Sequence, residues 1–241
     1  MSKDIRIKKG VNINLKGSAE RVYASIPQAE YFVVKPSDFK GLTPKLCVKA
    51  GDKVRAGSSL FFDKENPSIK ITSPVSGEVT EICRGEKRKI LKVVIKADAE
   101  ISYIEFPKAD AKDLSRDQII KQMLAAGLWP FVRQRPYAVI ANPNDIPKSI
   151  FISAFDSAPL ACDSDFVLHG MEKEFQTGLD IVTKFTEGKT HLNIDGNANS
   201  SSVFTSAKNV QINNVSGVHP AGNIGVQIHH IDPINKGEVV W

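Results

Sequence analysis

The chain has few cysteines, and they lie far apart. Only Cys47, Cys83 and Cys162 occur in 241 residues, and no pair has the Cys-x-x-Cys spacing. An odd number of scattered cysteines is typical of reduced thiols in a cytosolic protein and not of a disulfide framework. Zinc and iron–sulfur centres are usually built from closely spaced cysteines, so the sequence argues against such a centre formed by this chain alone.

Long apolar runs are also missing. The sequence has no stretch of about 18 apolar residues, the length that a transmembrane helix needs. The start of the chain, MSKDIR, lacks the apolar segment of a signal peptide. We therefore expect a cytoplasmic protein without a membrane span. At 241 residues with 41% hydrophobic content, the chain can bury one large core or two modest ones, and we expect two domains.

Positive charge is unevenly distributed along the chain. Residues 1–100 contain 20 Lys and Arg against 12 Asp and Glu, whereas residues 101–241 contain 12 against 15. The densest cluster flanks Gly85 in a predicted exposed hairpin and contains Arg84, Lys87, Arg88, Lys89 and Lys92. This cluster is either a solvated turn or a patch that faces an acidic partner or anionic lipid headgroups. Nucleic acid is not expected, because no aromatic residues are interleaved with these charges.

Residues 48–96 have the pattern of short strands with tight turns. Gly51 and Gly57 occupy turn positions that favour positive φ, and apolar residues alternate with polar ones from residue 69 onwards. The pattern predicts a flattened barrel-sandwich of antiparallel strands, which resembles biotinyl and lipoyl carrier domains. Lys64 is the nearest counterpart of their modified lysine. No Met-Lys-Met sequence frames it and Asn66-Pro67 lies in the connection, so we expect no attached biotin or lipoate.

The sequence changes character after residue 100. Ser115 followed by Gln118 predicts the capping box of a helix that Gly127 ends. The proline-rich passage 129–147 then predicts an ordered surface loop, because helix cannot persist through it.

Apolar runs and helical patterns alternate in the rest of the chain. The predicted strands are 149–153, 189–194 and 210–215, and helical patterns cover 166–171, 175–185 and 203–208. Alternating strands and helices predict a parallel sheet with crossover helices. We therefore predict a two-domain α+β and α/β protein, with an unmodified biotinyl/lipoyl-like β domain at 1–100 and a Rossmann-like α/β domain at 101–241. The last residues, 236–241, read as a strand without a cap, so we expect an N-terminal fragment with a truncated second domain.

Six short motifs along the chain are each weak evidence of a family, but together and in this order they are specific. They are Ile5–Gly10, Phe62–Pro67, Arg84–Arg88, Ala126–Trp129, Thr186–Lys189 and Gly217–Gly222, the last followed by Gly225 and His229. Together they resemble the NqrA family of the bacterial sodium-translocating NADH:quinone reductases, over essentially the whole chain. The resemblance implies an enzyme subunit of the translocase class, in a respiratory Na⁺ pump that oxidises NADH and reduces ubiquinone to ubiquinol.

That family is similar to RnfC of the Rnf complex and to the flavin- and NADH-binding subunit of complex I. Those relatives hold the flavin phosphate with a glycine-rich loop of the GxGGxxFPT kind. Here the corresponding sequence, AGLWPFVRQR (126–135), is bulky, and DSAP (156–159) replaces a Glu-Cys-Glu-Pro-like run. We therefore expect no bound flavin, NADH or metal in this chain. The resemblance implies that FAD, FMN, riboflavin and the 2Fe-2S centre belong to the other subunits, B to F.

The resemblance also implies a role in quinone binding or the quinone-reduction step, on the cytoplasmic face of the inner membrane. An apolar surface with hydrogen-bond donors suits a quinone. The candidate residues that offer rings, guanidinium groups, a phenol and an imidazole are Trp129, Phe131, Arg133, Arg135, Tyr137 and His219. The alternatives are an inter-domain packing loop at 129–137, a turn at His219, and a docking scaffold that joins soluble and membrane subunits. His229 and His230 are expected on opposite faces of a strand, so joint metal ligation by the pair is not expected.

Overall fold

The structure is a computed structural model that describes residues 2–17, 19–197 and 200–241. In chain order the strands are β1 (Asp4–Ile7), β2 (Tyr31–Val34), β3 (Pro44–Leu46), β4 (Lys53–Val54), β5 (Ser59–Asp63), β6 (Lys70–Thr72), β7 (Gly77–Arg84), β8 (Ile90–Ala97), β9 (Arg133–Gln134), β10 (Val139–Ile140), β11 (Ile150–Ser153), β12 (Thr190–Asp195) and β13 (Gln211–Gly217). The α-helices are α1 (Arg116–Ala126), α2 (Ser164–Val167), α3 (Glu172–Val182), α4 (Ser202–Thr205) and α5 (Ile224–Ile231).

These elements form two compact units, each made of separate stretches of chain. The β unit consists of Ala24–Asp110 and Leu114–Pro143. The α/β unit consists of Met1–Tyr23, Ala111–Asp113 and Asn144–Trp241. The predicted two-part organisation, an antiparallel β part and an α/β part, is confirmed.

The β unit contains two larger antiparallel sheets, with strand orders β2-β8-β7-β4 and β3-β5-β6, and the two-stranded hairpin β9–β10. Alternate residues of the two larger sheets meet in one core, as the alternating sequence pattern predicts. The most buried members of that core are Leu60, Phe61, Val79, Val93 and Ile95. The antiparallel strands predicted for residues 48–96 are confirmed.

Lys64 is exposed in the connection between β5 and β6. The turn is closed by the neighbouring Asp63, whose buried carboxylate accepts hydrogen bonds from the backbone N–H groups of Thr43 and Glu65. Asp63, the residue before Lys64, therefore has a structural role in this turn. The expectation that Lys64 carries no biotin or lipoate stays a prediction.

Helix α1 belongs to the β unit and has the predicted caps. The hydroxyl of Ser115 accepts from the N–H of Gln118, whose side chain accepts in turn from the N–H of Ser115. Gly127 ends the helix in the left-handed conformation, with φ of 73°. A Cβ at that position would lie 2.5 Å from the hydroxyl of Thr72 in β6, so the glycine also allows the helix end to approach the strand. The predicted helix is confirmed.

The α/β unit is built on a parallel sheet with strand order β1-β13-β12-β11. Helices cover both faces of this sheet. On one face Leu192 and Ile194 belong to the same core cluster as Phe204 of α4, and on the other Phe151 belongs to the same cluster as Ile228 of α5. The predicted strands at 149–153, 189–194 and 210–215 are confirmed within one or two residues at their ends. Parallel sheets buried on both faces are characteristic of α/β proteins.

Two predicted local structures are wrong. His229 and His230 lie in helix α5 and not in a strand, because Asn223 caps the helix and its buried residues recur at helical spacing. Part of the proline-rich passage forms the hairpin β9–β10 and not only loop. Strands of two residues have too few positions to produce an alternating sequence pattern.

Candidate functional site

The hairpin β9–β10 brings four of the predicted site residues into one short segment. Arg133 lies in β9 opposite Ile140, and Arg135 follows at the start of the turn, so the two arginines are two residues apart. Phe131 precedes the hairpin with 70% of its surface exposed, and Tyr137 in the turn is 75% exposed. The segment therefore combines two guanidinium groups with two exposed aromatic rings.

Trp129 has a different environment from the other residues of the segment. It is fully buried, and its indole N–H donates a hydrogen bond of 2.8 Å to the carbonyl of Ala141, just after β10. A buried tryptophan with a satisfied N–H stabilises the base of the hairpin. Trp129 thus stabilises the hairpin from the core and is not part of its exposed surface.

The two guanidinium groups are partly buried and make no ion pair with a carboxylate within the described part of the chain. Burial, and secondarily the positive charge of Arg133, lower the pKa of Arg135 from its ordinary value. A guanidinium group that is desolvated without a carboxylate gains from any acceptor that enters the site. Carbonyl, carboxylate and phosphate oxygens are the ligands that this arrangement suits.

His219 lies in the α/β unit, in the loop between β13 and α5. Its imidazole Nδ1 is 3.1 Å from the hydroxyl of Ser157, which follows β11, and its backbone N–H donates to the side-chain oxygen of Asn12, which follows β1. All three positions are near the carboxyl ends of parallel strands. Ligands of α/β sheets usually bind at this edge.

Ser157 can serve His219 in both protonation states. Its oxygen accepts a hydrogen bond of 2.8 Å from the N–H of Gly222, which leaves the hydroxyl proton available for Nδ1 of the neutral ring. That arrangement puts the remaining ring proton on Nε2. When the ring is protonated, Nδ1 donates to the second lone pair of the same hydroxyl. The pair therefore has the chemistry of a proton carrier.

Close backbone packing fixes the position of the loop that carries His219. A Cβ at Gly10 would collide with the carbonyl of His219, and a Cβ at Gly222 would collide with the backbone of Ser157. The N–H of Val11 also donates to the His219 carbonyl over 3.0 Å. The glycines are thus required by contacts between loops, and the position of His219 depends on them.

A chain of buried amide groups runs beneath the same loop. Asn213 donates to Asn193 over 2.8 Å, Asn193 donates to Gln227 over 2.8 Å, and Gln227 donates to the carbonyl of Ala221 over 3.2 Å. Asn193, Asn213 and Gln227 are all fully buried. We call these three residues the amide relay; it links the middle of the sheet to the loop that carries His219.

His191 is buried beside the relay and stacks on Phe151 with 4.5 Å between ring centres. Its Nδ1 is 3.3 Å from the side-chain nitrogen of Asn213. Burial lowers the pKa of His191 from 6.5 to about 4, partly offset by the negative charge of Asp232. The ring is therefore neutral near pH 7 and accepts the amide proton.

The exposed cations predicted near Gly85 lie at the tip of the hairpin between β7 and β8. The guanidinium of Arg84 donates to the carbonyl of Arg88 over 3.0 Å, which stiffens the tip. Arg84, Lys87, Arg88 and Lys89 are all exposed. We call these four residues the basic tip.

An open cavity of about 580 Å³ lies at the opposite, amino ends of β12 and β13. It is lined by Ser2, Thr183, Lys189, Thr190 and Gln211 among others. This cavity contains neither the hairpin nor the His219 loop. Its size alone does not indicate a ligand, and we place the candidate site at the residues whose chemistry is described above.

The sequence predicted His219 but not its neighbours. Ser157, Asn12, the relay and the two glycines come from distant parts of the chain. The one local signal was the position of Ser157 shortly after the end of a predicted parallel strand. No group of three or more His, Cys, Asp and Glu side chains in residues 2–17, 19–197 and 200–241 is arranged to hold a metal ion. Over the same residues, none of the helices has both the length and the apolar character needed to cross a membrane.

Comparisons with known proteins give consistent matches over nearly the whole chain. The family described as "NqrA N-terminal barrel-sandwich hybrid domain" matches residues 5–98, and the "NqrA second alpha/beta domain" matches residues 114–241. The chain is 36% identical over 241 residues to the A subunit of the Na(+)-translocating NADH-quinone reductase of Photorhabdus laumondii. It is 36% identical over 240 residues to the protein of the same name from Saccharophagus degradans, and 34% over 242 residues to that from Yersinia pestis. Each match covers 98% of this chain and 53% of the relative, so the chain spans about half their length.

Proposed function

The chain belongs to the NqrA family, the A subunits of the Na(+)-translocating NADH-quinone reductases, and we propose that it is part of a respiratory translocase. In this assignment the complex oxidises NADH, reduces ubiquinone to ubiquinol and exports Na⁺. The subunit lies peripherally on the cytoplasmic face of the bacterial inner membrane with subunits B to F as partners. FAD, FMN, riboflavin and the 2Fe-2S centre belong to those partners, and the α/β unit has a Rossmann-like outline without a cofactor.

Within the complex we assign this subunit to the quinone step. The observation that carries the assignment is the arginine pair of the β9–β10 hairpin, where Arg133 and Arg135 are partly buried, lack a carboxylate within the described chain and lie between exposed rings. The carbonyl oxygens of a quinone are acceptors without charge, and its ring packs on aromatic side chains. Phe131 and Tyr137 supply such side chains, whereas the buried Trp129 stabilises the hairpin and does not contact the quinone.

The role assigned to His219 is proton transfer. Reduction of a quinone to a quinol takes up two electrons and two protons, and the flavin and iron–sulfur partners supply the electrons. When the ring is protonated on both nitrogens, Nε2 can give its proton to the quinone oxygen, and the neutral ring that remains carries its proton on Nδ1, which still donates to the Ser157 hydroxyl. The hairpin and the His219 loop belong to different units, and each is proposed on its own geometry.

A second candidate function is a docking scaffold between soluble and membrane subunits. The observation that favours it is the basic tip, whose four cations are exposed and lack ion-pair partners in the described part of the chain. Such a patch suits an acidic partner surface or anionic lipid headgroups. The scaffold role and the quinone role use different surfaces, so both can hold.

The assembled complex allows the quinone role to be tested directly. Arg133→Gln and His219→Gln are compared with Arg55→Gln, which removes an exposed arginine elsewhere in the β unit. Hydrogen bonds to charged groups contribute about 1.5–3 kcal/mol, so Arg133→Gln should lower kcat/KM for quinone at least about ten-fold. Loss of a general acid should cost about a hundred-fold in kcat for His219→Gln. NADH oxidation with an artificial electron acceptor should stay near wild type in all three variants.

Equal losses in quinone reduction and in NADH oxidation would instead indicate an assembly defect and contradict the assignment. Unchanged quinone kinetics in Arg133→Gln would remove the arginine pair from the site. A pH profile of quinone reduction that is identical in wild type and His219→Gln would remove the histidine from proton transfer.

A further inference from the structure

The basic tip has an unusual backbone for its sequence. Lys87 and Arg88 both have positive φ, 52° and 60°, and the N–H of Lys89 donates to the carbonyl of Glu86 over 3.1 Å. These features define a type I′ turn, the tight turn that favours Asn-Gly because both central residues adopt the left-handed conformation. Two residues with long side chains are strained there. The chain therefore keeps two cations at positions where the fold alone favours other residues.

An apolar groove lies directly beside this turn. It has a volume of about 280 Å³ and is lined by Pro36, Phe39, Leu42 and Leu91, with Lys40 and Lys89 also in its wall. A Cβ on Gly85 would lie 3.2 Å from the side chain of Leu91, so the tip and the groove are in contact. Leu91 is 46% exposed although it is the second residue of β8 in the core sheet. The groove thus presents apolar surface to solvent next to concentrated positive charge.

The charges around the groove are strongly one-sided. The two segments that form it and the tip, 36–44 and 84–92, contain six Lys and Arg against Asp38 and Glu86. The four cations of the basic tip make no ion pair within the described residues. A second copy of this surface would be repelled by like charge. The complementary partner carries several carboxylates and at least one large apolar side chain.

We propose that the groove and the basic tip together form a docking site for an acidic peptide segment of a partner protein, with one apolar side chain of that segment seated on Phe39, Leu42 and Leu91. The concave groove favours a peptide over a membrane, because a lipid surface would touch the protruding tip but would not require a pocket for a single side chain. A buried apolar anchor with charged contacts at its edge is the usual arrangement of such sites. This site rests on the docking-scaffold role proposed above and names its partner; it is separate from the arginine pair and does not depend on the quinone assignment.

The test uses a short synthetic peptide with glutamates on both sides of one leucine, titrated into the chain at low salt. Wild type should bind it saturably, with affinity that falls as salt is raised. Lys87→Asn with Arg88→Gly should weaken binding at least ten-fold. Because Asn-Gly is the pair that the turn favours, this variant should have an equal or higher Tm, which separates lost binding from lost folding. Lys8→Gln with Lys9→Gln removes two exposed cations elsewhere and should change the affinity less than two-fold.

Leu91→Ser tests the groove separately from the charges. It should remove the preference of the chain for the leucine peptide over the same peptide with serine in place of leucine. Equal peptide affinity in wild type and in the Lys87→Asn, Arg88→Gly variant would overturn the proposal, as would an absence of saturable binding in wild type. Binding to anionic lipid vesicles that Leu91→Ser leaves unchanged, without binding of the peptide, would also overturn it in favour of a membrane surface.

Discussion

Individual side chains in the α/β unit are placed by partners that are distant in sequence. His219 illustrates this, because its ring depends on Ser157 and its backbone on Asn12, at the ends of two other strands. The residue type suggested proton chemistry, but only the fold supplies the hydroxyl that makes both protonation states acceptable. At this scale the sequence predicts which side chains are chemically capable, and the tertiary structure decides which of them have suitable partners.

His191 makes a pH-dependent contribution to stability. Its pKa is lowered from 6.5 to about 4, so between these values the unfolded chain binds a proton that the folded chain does not. The contribution is fully present above pH 6.5 and is lost as the pH falls towards 4. One pKa unit corresponds to about 1.4 kcal/mol, so the free energy of unfolding should fall by about 3 kcal/mol over this range.

Denaturant titrations at pH 7 and pH 4 of wild type and His191→Phe measure this contribution. Phenylalanine can keep the stacking on Phe151 but cannot titrate, so the variant should show a smaller decrease by about 3 kcal/mol. The opposing charge of Asp232 and the like charges of Lys189 and Lys3 remain in both proteins. The same pH dependence in both proteins would mean that His191 is protonated in the folded chain.

At the scale of elements, the amide relay connects β13, β12 and α5. Each of its fully buried amides both donates and accepts, so removal of one leaves polar groups unpaired in the core. An unpaired buried polar group costs about 1–3 kcal/mol. Asn193→Leu removes the shortest hydrogen bond that Asn213 donates and the one that Gln227 accepts, and should destabilise the chain by about 3 kcal/mol.

The relay also predicts a specific non-additivity. Once Asn193 is replaced, Gln227→Leu should cost less than it does in wild type, because one bond of Gln227 is already lost. A double-mutant cycle measured by chemical denaturation should give a coupling of about 1–3 kcal/mol. Gln176→Leu on α3, which lies outside the relay, serves as the uncoupled control. Additive effects of Asn193→Leu and Gln227→Leu would mean that the two amides do not act together.

The helices and strands also show which sequence signals were sufficient to predict secondary structure. Helix α1 was predicted because its caps, Ser115 with Gln118 and then Gly127, are local contacts within a few residues. The strands within residues 48–96 and the strands β11, β12 and β13 were predicted from alternation or apolar runs, which are also local patterns. Helix α5 was missed because its apolar residues are interrupted by the polar Gln227, whose buried amide is satisfied by Asn193 and by the carbonyl of Ala221. The hairpin β9–β10 was missed because its two-residue strands contain almost no pattern.

At the scale of the whole molecule, the pairings between distant segments are the part that no local pattern indicates. β1 pairs with β13, so Asp4 and Asn214, 210 residues apart, lie side by side. The compact units likewise combine separate stretches of chain, and α1 belongs with the β unit. The proposed domain boundary at residue 100 stays a prediction. The family, in contrast, was predictable from short motifs, and the comparisons confirm it.

The charge distribution is a second property of the whole chain. All of the excess positive charge is in the first hundred residues, and its densest part forms the basic tip. The arginine pair and the basic tip both lie in the β unit, yet their surroundings differ. Arg133 and Arg135 are partly buried in the hairpin, whereas the tip is fully solvated beside an apolar groove. We therefore assign them different ligands, an uncharged quinone and an acidic peptide segment.

The central claim is that the β9–β10 hairpin binds quinone, and a calorimetric titration of a short-tailed ubiquinone analogue into the chain tests it most directly. We predict saturable binding that Arg133→Gln weakens at least about ten-fold, the loss expected for one hydrogen bond to a charged donor, while Arg55→Gln binds like wild type. An absence of binding to this chain together with binding to the A subunit of a relative such as that of Photorhabdus laumondii would contradict the claim. Equal affinity in wild type and Arg133→Gln would contradict it as well.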